Sequence, residues 1–562
     1  MSKKKILFHS NSAKAFTGFG KNAKNILRYL YKTEKYELVE LANGMQWGHP
    51  SLLLRPWKAQ GSLPNNPALV KQMNSDEKKA RAGSYGSFTI DQAIKEYKPD
   101  VYIGCEDIWA FTDFWEKPWW NKINNMIWTT LDSQPILPQA LDAAPKTKNF
   151  HVWASFAERD MKKLGHNHVN TLHGTVNTQD FYKISDVEKQ KLRAKFNLSD
   201  EFIIGFVFRN QLRKSVPNLL EGFKIFKKEC PKAKLLLHTH WSEGWDIPRL
   251  LKEKNINNDD VLTTYFCSSC NNYAIAPFCG QEKTCPFCGS EKTLNTTNTR
   301  HGVDEFQLNE IYNIMDVYCH PFTSGGMEIP IFEAKMTELI TLVTNYSCGE
   351  DSSTTECGSF PLDWSEYREP GTQFIKASTY PSSIAKQLKK VYNLKPQKRI
   401  EMGKKARDWT IKNYSTESVG KKLEKIIDEM PDIEYDFDWD KDEKVVNLED
   451  LLDEGKRIAI VVPQSAVDLL AINSLIDSLQ NLYKNHDIYI FTMPAFFPYI
   501  EDHPNVHKVL AYSEAINNPH FLEGIGNHKG FFEVAFFPTN NTQKFTNYHH
   551  NGVDKTHHKL YE

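Results

Sequence analysis

Short apolar runs recur along the chain and alternate with stretches whose apolar positions return at helical spacing. Lys5–His9 carries the run Ile6-Leu7-Phe8, followed by Thr17-Gly18-Phe19-Gly20 and then by a helix-like stretch from Asn22 to Leu30. This order predicts strand, glycine-containing loop and helix, the first unit of an open parallel sheet. Further runs at Asp100–Gly104 and Met126–Thr130 extend the alternation and predict a doubly wound α/β domain over residues 1–175. A second series starts at Phe202–Phe208 and passes through a helical stretch from Pro217 to Lys228 to the run Ala233–His238. It resumes with helix from Gln307 to Ile314, strand over Asp316–His320 and helix from Ile331 to Thr337. The pattern therefore predicts two tandem Rossmann-like domains, 1–175 and 176–430. A third, half-size α/β unit is expected over 456–562, from the runs Arg457–Val462 and Asp487–Phe491 with a helical stretch from Val467 to Leu482 between them.

Residues 431–455 alternate acids with apolar residues and then turn strongly acidic, which reads as a linker with an apolar side able to dock on a neighbour. Its Asp436-Phe437-Asp438 looks like a paired-acid metal motif but lies outside both complete domains, so no metal is expected there.

Composition adds bounds. A chain of 562 residues holds about three to five domains. The 69 Lys+Arg against 70 Asp+Glu leave a formal charge of -1, which excludes a global attraction to nucleic acid or anionic lipid. No stretch reaches the roughly 20 apolar residues of a membrane span, and the basic opening is followed by an apolar run too short for a signal peptide. A cytoplasmic location is expected.

Five of the ten cysteines fall between Cys267 and Cys288. Cys267-Ser-Ser-Cys270 and Cys285-Pro-Phe-Cys288 are two CxxC knuckles, a spacing that brings four thiolates around one ion in the tetrahedral shell zinc prefers. A structural zinc ribbon inserted at 262–300 is expected, with Cys279 as a spare thiol. The closed shell leaves no coordination position for catalysis, so the metal would serve folding.

Phe208 ends a predicted strand, and the next six residues carry Arg209, Arg213 and Lys214 just before a helix. Cations at that place, together with the helix N-terminus, suit an anion such as a diphosphate. The later stretch His301–Pro321 with Ser324-Gly325-Gly326-Met327-Glu328 and Glu333 resembles the donor-site signature of retaining GT-B glycosyltransferases of family 4. Gly18-Phe19-Gly20, the serine-bearing turn Ser155–Glu158, and Leu172–Asn177 with Phe181 extend the resemblance over about residues 1–425.

The resemblance implies a UDP- or GDP-sugar donor and transfer with retention. It implies that Arg209 and Lys214 neutralise the departing diphosphate, that Gly18, Gly20, Gly325 and Gly326 give the donor close backbone approach, and that Glu333 binds the ribose. The family usually carries a Glu where this chain has Gly325, so either Glu328 takes over that contact to the donor sugar or the donor differs. The family's N-domain histidine is replaced in Leu131-Asp132, which leaves Asp132, Glu106 and Asp107 as candidates to face sugar and acceptor. Asp132 is placed with Arg209 and Lys214 in the catalytic set.

Six large aromatics between Trp109 and Trp120 suit stacking on a sugar or base, or the packing of an irregular loop. The His549-His550 and His557-His558 pairs lack a supporting ligand pattern. The third unit resembles the N-terminal half of a family 9 heptosyltransferase-type enzyme, in its strand-helix-strand order and in His503-Pro504-Asn505-Val506. Without a donor half it is expected to be an interaction or acceptor-presenting module. The leading reading is a metal-independent glycosyltransferase with an unidentified acceptor. A modified nucleic-acid base as acceptor, and a non-catalytic sugar-binding scaffold, stand as alternatives.

Overall fold

The computed structural model describes residues 3–298, 301–435, 448–462, 466–513, 516, 519–525, 528–538, 544–550 and 553–559. They fall into two compact units, Met1–Trp439 and Asp440–Glu562.

The first unit holds two sheets. The first sheet comprises β1 (Lys4–Asn11), β2 (Tyr36–Gln46), β3 (Lys58–Leu63), β4 (Val101–Cys105), β5 (Asn124–Thr129), β6 (Asn149–Val152) and β7 (Asn170–Thr171). They lie in the order β3-β2-β1-β4-β5-β6-β7, and neighbouring strands run parallel. Both faces are covered, so Ile6 to Ser10 and all of β4 are buried, and such strands read as continuous apolar runs rather than alternation. The helix Gly18–Thr33 starts where the Thr17 hydroxyl accepts the Gly20 N–H, 3.1 Å away. A Cβ at Gly20 would fall 2.4 Å from the Ala15 carbonyl, so this turn requires glycine.

The second sheet comprises β8 (Phe202–Val207), β9 (Ala233–His238), β10 (Val261–Cys267), β11 (Tyr273–Pro277), β12 (Leu294–Thr296), β13 (Val317–His320), β14 (Thr341–Thr344) and β15 (Ser359–Leu362). Its order is β11-β10-β9-β8-β13-β14-β15, with β12 also on β10. The first residues of β10 pair parallel with β9, and its last three pair antiparallel with β12. The cysteine-bearing insertion is therefore a continuation of a core strand.

Both sheets reverse direction of winding beside their first strand, between β1 and β4 and between β8 and β13. In doubly wound sheets ligands bind outside the carboxyl ends of the strands at such a point. Here the two crevices face each other. Ser133 Oγ lies 2.8 Å from Ser324 Oγ, and the buried Lys376 Nζ donates to both. Ser155 N donates to Asp351, and Arg159 pairs with Glu350. The helix Thr416–Glu429 falls within the second domain as read from sequence, yet it packs on the first half: Val419, Leu423 and Ile427 share a core with Ile26, Leu27 and Leu30.

The ends of the predicted linker are structured. Ile433 and Tyr435 pack on the first unit's core, where Tyr435 Oη donates to Pro99 O at 3.0 Å, and Leu448–Leu451 is helical. Asp436-Phe437-Asp438 lies outside the described residues.

In the second unit four parallel strands, Lys508–Ala511, His486–Thr492, Lys456–Val461 and Val534–Phe536, lie in that spatial order, with apolar clusters on each face. His549-His550 and His557-His558 lie on a paired hairpin, Lys544–His550 with Val553–Lys559, whose side chains are outside the described residues. No helix among the described residues is long and apolar enough to cross a membrane.

Helices Val216–Lys227 and Pro381–Tyr392 touch at Gly222, where a Cβ would lie 2.7 Å from Ile384 Cβ and 2.9 Å from the Pro381 carbonyl. Alanine is ordinarily the better helix former, but here overpacking against backbone outweighs it, and Gly222→Ala should cost about 1–3 kcal/mol. Denaturant unfolding checks this; a variant more stable than the parent would show that the helices separate freely.

Candidate functional site

A cleft of about 470 Å³ opens between the facing crevices. One wall comes from the ends of β1 and β4: Asn11, the loop Phe16–Phe19, Lys21, Glu106 and Asp107. The opposite wall comes from β8, β9 and the turn after β13, and includes Arg209, Arg213, Lys214, His238, Thr239 and Glu328.

The second wall is built on one buried carboxylate. Glu328 is 3% exposed and pairs with both Arg213 and Lys214, while its Oε2 lies 3.1 Å from His320 Nε2. His320 Nδ1 meets Tyr318 Oη at 2.9 Å, and Tyr318 donates to the Val207 carbonyl at 3.0 Å. Burial works to raise the Glu328 carboxyl, but the two cations outweigh it and hold the group well below the usual range. Burial, with Arg213 beside it, brings Lys214 down to about 8. Burial also lowers His320 to about 4, so the imidazole is neutral. Two cations against one carboxylate leave this cluster with a net positive charge, and the exposed Arg209 adds another.

Gly325 sits directly over this cluster. A Cβ there would be 2.7 Å from Glu328 Oε1 and 3.2 Å from Arg213 Nη1, so the Glu328 carboxylate fills the space a side chain at 325 would enter. At Gly326 a Cβ would fall 2.3 Å from Thr130 Cβ and 2.9 Å from Asp132 Oδ1. That glycine serves close approach between the two halves of the unit. Gly18 lines the cleft, 3.4 Å from Ile329 by its would-be Cβ, while Gly20 holds the turn behind it.

Glu333 is buried in the helix Ile329–Met336, where Tyr312 Oη donates to Oε2 at 2.8 Å and Lys21 Nζ reaches Oε1 at 2.6 Å from the other half. Lys21, Tyr318 and His320 are thus site residues without an assigned role in the sequence, and Arg213, there one of three cations suited to an anion, is also a partner of Glu328. Arg213 was visible as the third cation of its loop, and Tyr318 and His320 share one face of a buried strand at spacing two. Lys21 had no sequence signal, because its partner is 312 residues away.

On the first wall, Glu106 accepts the Asn11 N–H at 2.7 Å, and Thr130 Oγ1 donates to Asp107. Burial, with Asp107 nearby, pushes Glu106 up to about 8, and burial with Asp132 nearby pushes Asp107 up to about 6. Of the three acids left open by the sequence, Glu106 and Asp107 line the cleft, whereas Asp132 stands beside Gly326 and is not part of its lining.

The aromatic cluster is core. Phe111, Phe114, Trp115, Trp119 and Trp120 are each at most 4% exposed, and the indoles of Trp115, Trp119 and Trp120 donate to Asp142, Asp91 and the Lys146 carbonyl. Only Trp109 is half-buried, against Tyr85 and Arg81. Of the two readings the sequence left open for these rings, the structure shows packing: all but Trp109 fill the irregular turn after β4.

Cys267, Cys270, Cys285 and Cys288 bring their sulfurs within 4.8 Å of one another, with Cys267–Cys288 at 3.8 Å and Cys270–Cys285 at 3.7 Å. A sulfur tetrahedron with metal bonds of about 2.3 Å has edges of about 3.8 Å, so the cluster has the size of a metal shell. Cys279 is exposed and outside it, beside Lys283.

The chain superposes on the sucrose-phosphate synthase of Thermosynechococcus elongatus with a TM-score of 0.55 at 13% identity, covering 76% of this chain and 99% of that one. It superposes likewise on a glycosyltransferase from Rickettsia africae ESF-5 (0.52, 15%, 76% and 99%) and on Anabaena Alr3699/HepE in complex with UDP (0.52, 11%, 76% and 100%). The fold is GT-B. At these identities the likeness carries architecture alone. No family model and no curated protein matches the chain.

The raised Glu106 has a consequence for stability. Its folded pKa of about 8 lies above the ordinary carboxyl value, so its contribution is fully present in acid and is lost as pH rises from the unfolded value through about 8. Glu106→Gln lacks this term and should gain stability relative to the parent between about pH 5 and about pH 9 in denaturant titrations. A difference that does not change with pH would mean Glu106 is ionised throughout.

Proposed function

We propose that this chain is a glycosyltransferase that moves a sugar from a UDP- or GDP-sugar to an acceptor in the cleft, with retention as its resemblance to family 4 implies. One observation carries the reading: Arg209, Arg213 and Lys214 converge, with a net positive charge, on the cleft wall at a topological switch point of a GT-B fold. HepE and the trehalose-6-phosphate protein of E. coli have been solved with UDP and UDP-2-fluoro glucose respectively, which supports a nucleotide-sugar partner.

In this reading Arg209 and Lys214 stabilise the negative charge that grows on the departing diphosphate, an electrostatic task that needs cations placed at the cleft wall, Lys214 buried and held by Glu328 and Arg209 at the exposed side. Glu328 holds Arg213 and Lys214 in place. Glu333 keeps acceptor capacity beyond its bonds to Lys21 and Tyr312, since a carboxylate offers about four lone-pair sites, and it receives the ribose hydroxyls. Glu106 and Asp107 face the sugar and acceptor, a pair whose raised pKa values suit proton exchange near neutrality. The four cysteines hold a structural zinc. The Glu328 carboxylate in the space over Gly325 supports a working donor site over a degenerate scaffold, and the burial of five of the six aromatics removes one of the two features that suited a nucleic-acid base as acceptor, the cysteine cluster being the other.

Lys214→Ala should lower turnover about thirty- to a thousandfold with a smaller effect on donor affinity, the outcome for a contact worth roughly 2–4 kcal/mol in the transition state. Glu328 keeps Arg213 as partner, so the variant should fold. Arg209→Lys should recover only part of the loss seen in Arg209→Ala, because an ammonium lacks the forked donor geometry. Glu333→Gln should instead weaken nucleotide binding with little change in turnover. Steady-state kinetics with the donor varied checks all three, and near-parental turnover in both Lys214→Ala and Arg209→Ala would show that the cations serve another purpose.

A chain ending at Trp439 should retain nucleotide binding, because every described residue that lines the cleft belongs to the first unit. Loss of acceptor use alone in that truncation would support a presenting role for the second unit, while loss of nucleotide affinity would show that it completes the site.

A further inference from the structure

The cysteine-bearing insertion is tied to the cleft by its own hydrogen bonds. β12 ends at Thr296, and the next two residues, Thr297 and Asn298, line the cleft. The segment is anchored from the metal shell: Cys267 Sγ lies 3.2 Å from Thr293 Oγ1, and Ser268 N donates to the Thr293 carbonyl at 3.0 Å. A second strut runs from the first knuckle. Gln307 Nε2 donates to the Asn271 carbonyl at 2.7 Å, and Gln307 closes the capping box with Asp304 at the start of the helix Glu305–Ile314, where Asp304 and Glu305 also line the cleft. A third joins His301 Nε2 to the carbonyl of Phe266, the residue before Cys267, at 3.0 Å.

The same wall contains two enclosed hydroxyls. Thr297 is 3% exposed and Thr239, at the end of β9, is 1% exposed. Both line the cleft, and neither hydroxyl is bonded to another protein group. Buried polar groups are normally satisfied, and because both oxygens are enclosed, a ligand in the cleft meets them only when the wall shifts, which makes the position of the Thr297 segment matter.

We propose that the cysteine insertion is a structural arm of the nucleotide site: zinc in the four-cysteine shell fixes the Thr297 and Asp304 segments, and metal and nucleotide bind cooperatively. The proposal rests on the reading of the cleft as a nucleotide-sugar site. The two cysteine knuckles lie in the insertion alone, with no residue in the cleft lining, so the metal acts through position and not through contact. Coupling of this kind is reciprocal: whatever factor zinc adds to nucleotide affinity, the nucleotide adds to zinc affinity.

The test uses the full chain. UDP and GDP are titrated calorimetrically into zinc-loaded protein and into protein stripped with a chelator, with far-UV circular dichroism to show that the sheets persist. Stripping should weaken the better nucleotide by about tenfold or more, zinc should restore it, and that nucleotide should raise zinc affinity by the same factor in competition with a chromogenic chelator. Equal nucleotide affinity in loaded and stripped folded protein overturns the arm. Binding of neither nucleotide by loaded protein overturns the donor reading itself, and the proposal with it. If stripping unfolds the chain, Gln307→Ala decides: it should keep one zinc and bind nucleotide more weakly, and unchanged nucleotide affinity in that variant overturns the proposal.

Discussion

The Glu328 carboxylate, fully enclosed and held by two cations and a neutral imidazole, is the interaction on which the second half of the site depends. A buried charge is tolerable only when paired and hydrogen-bonded, and removal of a partner leaves it uncompensated. Glu328 therefore dictates that the loop after β8, which supplies Arg213 and Lys214, and the turn after β13 stay together. Those two segments flank the switch point of the second sheet. The position of the cations is set from behind, by Tyr318 and His320 on β13, so that their outer side faces the cleft with charge left over.

The first half meets this wall at very short range. Gly326 lies against Thr130 and Asp132, Ser133 against Ser324, and Lys21 reaches across to Glu333. Each of these contacts displaces water from the seam between the two sheets. The cleft that remains has Arg209, Arg213 and Lys214 on one wall, and Glu106 and Asp107, two acids of raised pKa, beside Lys21 on the other.

Much of the frame was legible because parallel strands covered on both faces read as plain apolar runs, as at Ile6-Leu7-Phe8, Ile203-Ile204 and Leu235-Leu236-Leu237. The cysteine knuckles were equally legible, since their spacing is local. β2 escaped because its apolar run is diluted by Glu37, Glu40 and Asn43, the second of them buried in contact with Arg55 and Trp57. What sequence could not reveal were contacts between distant positions. The pairing of Glu328 with Arg213 spans 115 residues, and that of Lys21 with Glu333 spans 312. The dense aromatics after β4 left two readings open for a different reason: large rings filling a turn and large rings stacking on a ligand have the same composition, and only burial separates them.

The chain passes between the two halves of the first unit twice, and the crossings run side by side. Val176 N donates to Tyr414 O at 2.8 Å, Thr416 N returns to Val176 O at 3.2 Å, and Val176 and Ser415 form a parallel bridge. A single crossing would act as a swivel, leaving one half free to twist and tilt in any direction. Two crossings joined at one bridge are closer to the pin of a door, since sliding or twisting one past the other breaks both hydrogen bonds of Val176. The Thr416–Glu429 helix, seated on the first half immediately after the second crossing, is the plate that fixes the pin to its frame. The paired crossings and the helix thereby hold the two halves of the first unit together on the side where the chain passes between them.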